Sequence, residues 1–382
     1  MRRDSFPDVL RGFALLGIVL VNAPFLAINT VVGIGAVDVS SLSNFLPAFL
    51  ITSLALGKFY LLFSFLFGYS AGYVLKADRK NIPRWIARAV FLILFGALHA
   101  IFLFHGDILF AYGILAIALV GFYFRSDRVL RIWSRVLYFS AAGLFTVFAL
   151  LLLVAEKVLG EDLGETITSS SLDTALVDGS FFEIAVARFD LWSSGLAEGF
   201  LLQGILAFAA FLVGVLASRR KFLADGAKPE SMKRMAIWGL SVGLPIQLTA
   251  GWFFLQNQLA ESFSSAVELS LFVVLFFTAP ILSAGYLGSL WFIHQKYQER
   301  FEMVSAAGRH SLSVYIGQSV ILSVLFSSWG FGLFGALSLS AVTAIAFGSW
   351  LLLALMALLN SKYRSSGPLE WLLQRLTSRF RV

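Results

Sequence analysis

The stretch Asp8-Val-Leu-Arg-Gly-Phe-Ala-Leu-Leu-Gly-Ile-Val-Leu-Val-Asn22 leaves few folds open. From Val9 to Ile28 the only charge is Arg11, and about 20 such residues cross a hydrocarbon core. The run is too long for a typical signal-peptide core and no clear cleavage site of small residues follows, so it predicts a membrane helix. Arg2 and Arg3 ahead of it favour a cytoplasmic N-terminus. Asp8 and Arg11 stand one helical turn apart and share a face at the membrane boundary. Asn22 lies about three turns beyond Arg11 and carries an amide that lipid cannot satisfy.

The rest of the chain repeats this pattern. Hydrophobic residues make up 59% of it and charged residues 13%, with a mean hydropathy of +0.84, where a soluble domain carries roughly 25% charged residues. The fold class expected is all-α: one integral membrane domain over residues 1-382, a polytopic helix bundle of about ten transmembrane helices. Crossings are predicted at 9–28, 59–75, 86–104, 108–124, 132–155, 196–217, 235–255, 267–293, 312–327 and 331–359. Residues 45–56 read as an outer interfacial or re-entrant piece, divided from the second crossing by Gly57-Lys58. Of the 29 Lys and Arg, all but Lys58, Lys157 and Arg188 then fall on one side, which the positive-inside rule makes the cytoplasm, with both termini there. Residues 156-195 form a long outer loop whose 181–192 portion is apolar enough to lie on the membrane or cap a cavity. Residues 367-382 form an amphipathic interfacial helix on the inner leaflet. Gly68 and Gly72, and likewise Gly214 and Ser218, are small residues four apart, a spacing that lets membrane helices pack closely.

Several functions are excluded at this level. The chain has no cysteine, which removes disulfides, thiolate nucleophiles and sulfur metal sites. No P-loop or HExxH pattern occurs, and His99, His105, His294 and His310 lack metal-ligand spacing. The basic residues line one membrane face, so their natural partners are lipids, not nucleic acid.

Ionisable groups inside a bilayer need a partner or a purpose. The topology puts Lys58, Asp107, Arg188 and Glu198 at the outer level. His99 stands roughly 9 Å deeper than His105 along its helix, at a depth similar to that of Asn22. Together they predict a polar pocket opening outward, with His99 as general base and Asp107 fixing its tautomer. Structural roles compete: Asp107 as a helix cap, Lys58 snorkelling to the outer surface, Arg188 with Glu198 as a lid ion pair. At the inner face Asp8, Arg11, Arg309 and His310 form a second cluster, suited to an anionic cytosolic donor or to lipid headgroups.

Asp8 to Asn22, Gly57-Lys58-Phe59 with Phe63-Ser64-Phe65-Leu66-Phe67-Gly68, His99 with Gly106-Asp107-Ile108-Leu109 and Tyr112, Gly308-Arg309-His310-Ser311-Leu312, and Gly367-Pro368-Leu369-Glu370-Trp371 together resemble the YeiB-like bacterial inner-membrane proteins, a family largely described by a domain of unknown function. That family is distantly similar to transmembrane acyltransferases of the heparan-glucosaminide N-acetyltransferase type. These share an opening matched here by Asp8, Arg11, Gly12, Val21 and Asn22. The resemblance implies transfer of an acyl group from cytosolic acyl-coenzyme A to an envelope glycan or lipid, with Asn22 bonding the acyl carbonyl. In those acyltransferases a His on the outer loop soon after that Asn serves catalysis. Here no His lies between Asn22 and His99, so the role falls to His99 on another helix. Two alternatives remain. One is a transporter or lipid flippase without bond chemistry, for which Pro24, Pro245 and Pro280 permit kinks. The other is a structural or accessory membrane protein.

Overall fold

The computed structural model describes residues 5–160, 169–224, 226–364 and 366–380; within these every regular element is helical. Helix α1 is Phe6–Ala27, followed by α2 at Leu42–Leu50, α3 at Lys58–Leu75, α4 at Ile82–Phe102, α5 at Leu109–Tyr123 and α6 at Asp127–Leu159. Beyond the segment 161–168 come α7 (Ser171–Asp178), α8 (Phe181–Gly199), α9 (Ile205–Arg219), α10 (Pro229–Trp238), α11 (Leu244–Leu259), α12 (Ser265–Phe277) and α13 (Ala279–Lys296). The last four are α14 (Glu302–Arg309), α15 (Ser311–Phe326), α16 (Leu339–Asn360) and α17 (Pro368–Ser378). Among the described residues, 8 helical stretches are long and apolar enough to cross a membrane, and α5 and α15 are shorter apolar helices beside them.

The chain differs from the sequence expectation where helices join. Residues 181–192 do not lie flat: α8 runs through a wide turn at Phe200–Gly204 into α9 as one stretch, Phe181–Arg219. The fifth crossing continues to Leu159 instead of ending at Ala155. The last crossing starts at Leu339, because 327–338 is spent on turns.

Helix α1 is the centre of the bundle. Its first residues are almost all buried, and α3, α14, α15 and α16 surround it. Small residues make this possible. A Cβ on Gly12 would stand 2.0 Å from the Val304 carbonyl oxygen, and one on Gly308 would stand 1.8 Å from that of Asp8. The α1 and α14 backbones are therefore in contact. Helices α3 and α9 pack by the same device. Gly68 faces the Phe211 backbone, Gly214 faces Phe65, and Gly72 faces Ser218, so the two small-residue pairs of the sequence meet each other.

Two crossings are broken inside the bundle. The stretch Leu42–Leu75 turns at Gly57, whose φ of 79° suits a residue without a Cβ. Phe59, just past the break, packs on Gly17, midway along α1. The second break is Thr278, between α12 and α13 and just ahead of Pro280. The breaks touch: a Cβ on Gly57 would be 3.4 Å from Ala279 Cβ.

Replacing Gly214 by Val should destabilise the α3–α9 pair by at least about 1–3 kcal/mol, since backbone cannot yield to the added atoms. Gly348→Val, where nothing lies within 4 Å, should leave thermal unfolding in detergent close to wild type.

Candidate functional site

His99 sits in the last turn of α4, and Asp107 lies in the turn that leads into α5. Both side chains are buried, and His99 Nδ1 stands 2.8 Å from Asp107 Oδ1. The other carboxylate oxygen accepts from the Phe110 amide at 2.7 Å. Asp107 thus caps α5 and orients the imidazole at once; the two roles do not compete. Gly96 makes the contact feasible, since a Cβ there would lie 2.6 Å from Asp107 Oδ2 and 2.1 Å from the Phe110 amide nitrogen. With the Nδ1 proton given to the carboxylate, Nε2 keeps its lone pair. That atom is buried and has no hydrogen-bond partner. The rings of Tyr315 and Phe104 flank the imidazole at 5.0 and 6.4 Å.

The remaining residues expected in that pocket are placed otherwise. Asn22 is half-buried on α1, with no hydrogen bond to His99 or Asp107. Lys58 does not reach a surface: it is fully buried at the Gly57 break, where Nζ donates to the Thr52 carbonyl at 3.2 Å. A wide turn at Ile51–Ala55 frees that carbonyl, so the ammonium satisfies the end of the upper half-helix. Tyr286 does the same for the Leu54 carbonyl at 2.9 Å.

Arg188 and Glu198 do not form a lid ion pair. Glu198 is exposed, while Arg188 is 2% exposed and donates to the Phe102 carbonyl at 2.7 Å and to Ser323 and Ser327. It closes the C-terminal ends of α4 and α15. His105 is half-buried and bonds the Thr30 carbonyl at 2.9 Å, while the Thr30 amide donates to Asp173 of α7. Helices α7 and α8 are tied down there, over this end of the bundle.

At the opposite, basic end, Arg11 pairs with buried Asp8 at 2.9 Å. Arg309 turns away from that pair and donates to Ser305 and Ser361. Glu370 of α17 accepts from the Leu312 and Ser313 amides at 2.6 and 3.1 Å, capping α15. His310 is buried with Nε2 unpartnered. Arg84 and Arg88 of α4 add to this end; Arg11 and Glu370 are close enough to act on the charge of Arg88, whose Nε has no partner. Sequence reasoning missed Arg84, Arg88 and Tyr315 as site residues. The signal for the arginines was available: Arg88 and His99 lie three turns apart on one face of α4, about 16 Å of rise. Among the described residues no group of three His, Asp or Glu is arranged to hold a metal ion.

Lys58→Met should lower stability by about 1–3 kcal/mol, the cost of orphaning a buried carbonyl, as read by thermal unfolding in detergent. For His105, burial pushes the imidazole down to about 4, against the bond to Thr30 and with the Arg188 charge assisting. The unfolded chain takes up that proton near pH 6.5. His105 therefore contributes stability above that pH, and it is lost as pH falls through about 4. His105→Gln, which keeps a donor for Thr30, should flatten this part of the stability profile between pH 6.5 and 4.

Comparison with known proteins agrees with this architecture without adding an activity. Residues 216–380 match the family described as Protein of unknown function (DUF418). The chain is 26% identical over 396 residues to "Uncharacterized protein YxaH" of Bacillus subtilis, covering 97% of this chain and 93% of that one. It is 27% identical over 393 residues to "Uncharacterized protein YeiB" of Escherichia coli, covering 99% and 97%. An uncharacterized 39.9 kDa protein of Bacillus acidopullulyticus is 26% identical over 380 residues. No solved structure matches significantly. The DUF418 match over residues 216–380 and the similarity to YxaH and YeiB along nearly the full length support a place for this chain among the YeiB-like DUF418 proteins, and its long apolar helices support a multi-pass membrane protein.

Proposed function

We propose that this protein is a membrane acyltransferase of the inner membrane, its basic end and both termini in the cytoplasm. It moves an acyl group from a cytosolic acyl-coenzyme A to a hydroxyl of an envelope glycan or lipid. The observation that carries the reading is the His99–Asp107 pair, held at 2.8 Å by Nδ1 with Nε2 left without a partner. A buried imidazole oriented by a carboxylate on one nitrogen and open on the other is what a general base requires. Nε2 takes the acceptor hydroxyl proton as its oxygen bonds the thioester carbonyl carbon. The C–S bond then breaks, and the imidazolium returns the proton to the departing thiolate. Asn22, whose amide no protein group uses, is the donor assigned to the acyl carbonyl oxygen. Arg11, Arg84, Arg88 and Arg309 supply charge for the phosphates of the donor. The face of α4 between Arg88 and His99 carries Phe91, Leu92 and Phe95, apolar surface along which a pantetheine-like arm would run.

A second reading has its own support. Discontinuous helices that meet inside the bilayer are the usual framework of a transporter's substrate site, and the Gly57 and Thr278 breaks pack together. Purified protein incubated with labelled acyl-coenzyme A and envelope extract separates the two. Wild type should label an acceptor, and His99→Ala should lower the rate by about 100-fold or more, with Asp107→Asn also impaired. Equal labelling by His99→Ala removes the imidazole from the chemistry. Absence of labelling in wild type moves the support to transport.

A further inference from the structure

Away from the His99 site, a cavity of about 670 Å³ lies between α3 and α9 as its floor and α6 and α13 as its walls. Its inner end is apolar, formed by residues such as Leu61, Leu206 and Pro280. Tyr138 of α6 donates to the Phe277 carbonyl and closes this end, where α6 meets α12. At the basic end of the bundle the cavity is lined by Arg131, Arg135 and Arg220, which form its mouth there. From Leu206 to Arg220 is about 21 Å of helix, enough to accept a chain that fills one leaflet, about 15 Å deep.

Among the described residues the charge at this end is only partly paired. Asp127 is the nearby carboxylate; Arg219 holds it at 2.6 Å, and Arg220 reaches it only at 3.8 Å. Arg131 gives Nε to the Asp127 backbone carbonyl, and among the described residues its terminal amino groups and Arg135 meet no partner. Three exposed guanidiniums above an apolar slot are complementary to a molecule with phosphate at one end and hydrocarbon at the other. Guanidinium groups bind phosphate oxygens in pairs of parallel hydrogen bonds. We infer that this groove is a site for an anionic glycerophospholipid of the inner leaflet, with an acyl chain between α3, α6, α9 and α13 and its phosphate held by Arg131, Arg135 and Arg220. The site is independent of the acyl transfer proposed above and does not use His99.

The test is lipid titration of the full-length protein, followed by native mass spectrometry, with phosphatidylglycerol and phosphatidylcholine of matched chains. Wild type should retain phosphatidylglycerol at least about tenfold better. The triple variant R131Q/R135Q/R220Q should bind both lipids alike. Val213→Trp, at a half-exposed groove position that tolerates bulk, should reduce retention of both. Equal retention of the two lipids by wild type overturns the proposal, as does an unchanged preference in the triple variant. Full occupancy in Val213→Trp would place the lipid elsewhere and overturn it too.

Discussion

In hydrocarbon, a main-chain group that a helix leaves unpaired has no water to turn to, and each costs several kcal/mol. This constraint explains several of the long polar side chains inside the bundle. Every broken or short helix creates carbonyls or amides without partners, and a long side chain meets them in turn. Lys58 takes the Thr52 carbonyl and Tyr286 that of Leu54. Arg188 takes that of Phe102, Gln247 that of Leu275, and Glu370 the first amides of α15. A charge in the membrane is therefore not by itself a sign of chemistry in this fold.

The same accounting leaves His99 and His310 each with an unpartnered buried Nε2, and His99 differs in the carboxylate that holds its Nδ1. Its Nδ1 is engaged by Asp107, but neither ring nitrogen meets a helix end, and Nε2 meets nothing. A histidine kept only for structure would be expected to use both nitrogens or to yield to an apolar residue, because a buried unpaired acceptor costs about 1–3 kcal/mol. The rings of Tyr315 and Phe104 flank the buried imidazole, and burial strengthens any electrostatic interaction made there.

What could be read from the sequence follows from the range of the interaction involved. Crossings and breaks are written in local composition: the apolar lengths, the Gly57-Lys58 step and the proline beside Thr278. The Asp107–His99 pair was legible because the two residues flank one tight turn. Arg188 was not. Its partners Ser323 and Ser327 are more than 130 positions away, and no periodicity connects them. Lys58 was misplaced for a related reason. Snorkelling is the ordinary fate of a lysine near a membrane surface, and only the contact of Phe59 with Gly17 shows that the Gly57 break lies deep inside the bundle.

The arginines of the basic end divide by the same logic. Arg131, Arg135 and Arg220 are exposed, where a positive charge costs little and an anionic headgroup in the groove beside them can answer it. Arg11, Arg84, Arg88 and Arg309 are half-buried at the junction of α1, α4 and α14, with Asp8 and Glu370 as the carboxylates beside them. Asp8 is engaged by Arg11, and Glu370 is occupied by the α15 amides. Orientation alone gives no reason to gather four guanidiniums in a partly desolvated junction, where their mutual repulsion is least screened. The phosphates of the donor proposed above would supply that reason. Arg88 stands on the same face of α4 as His99, so the proposed donor would answer both the arginines and the unpartnered Nε2.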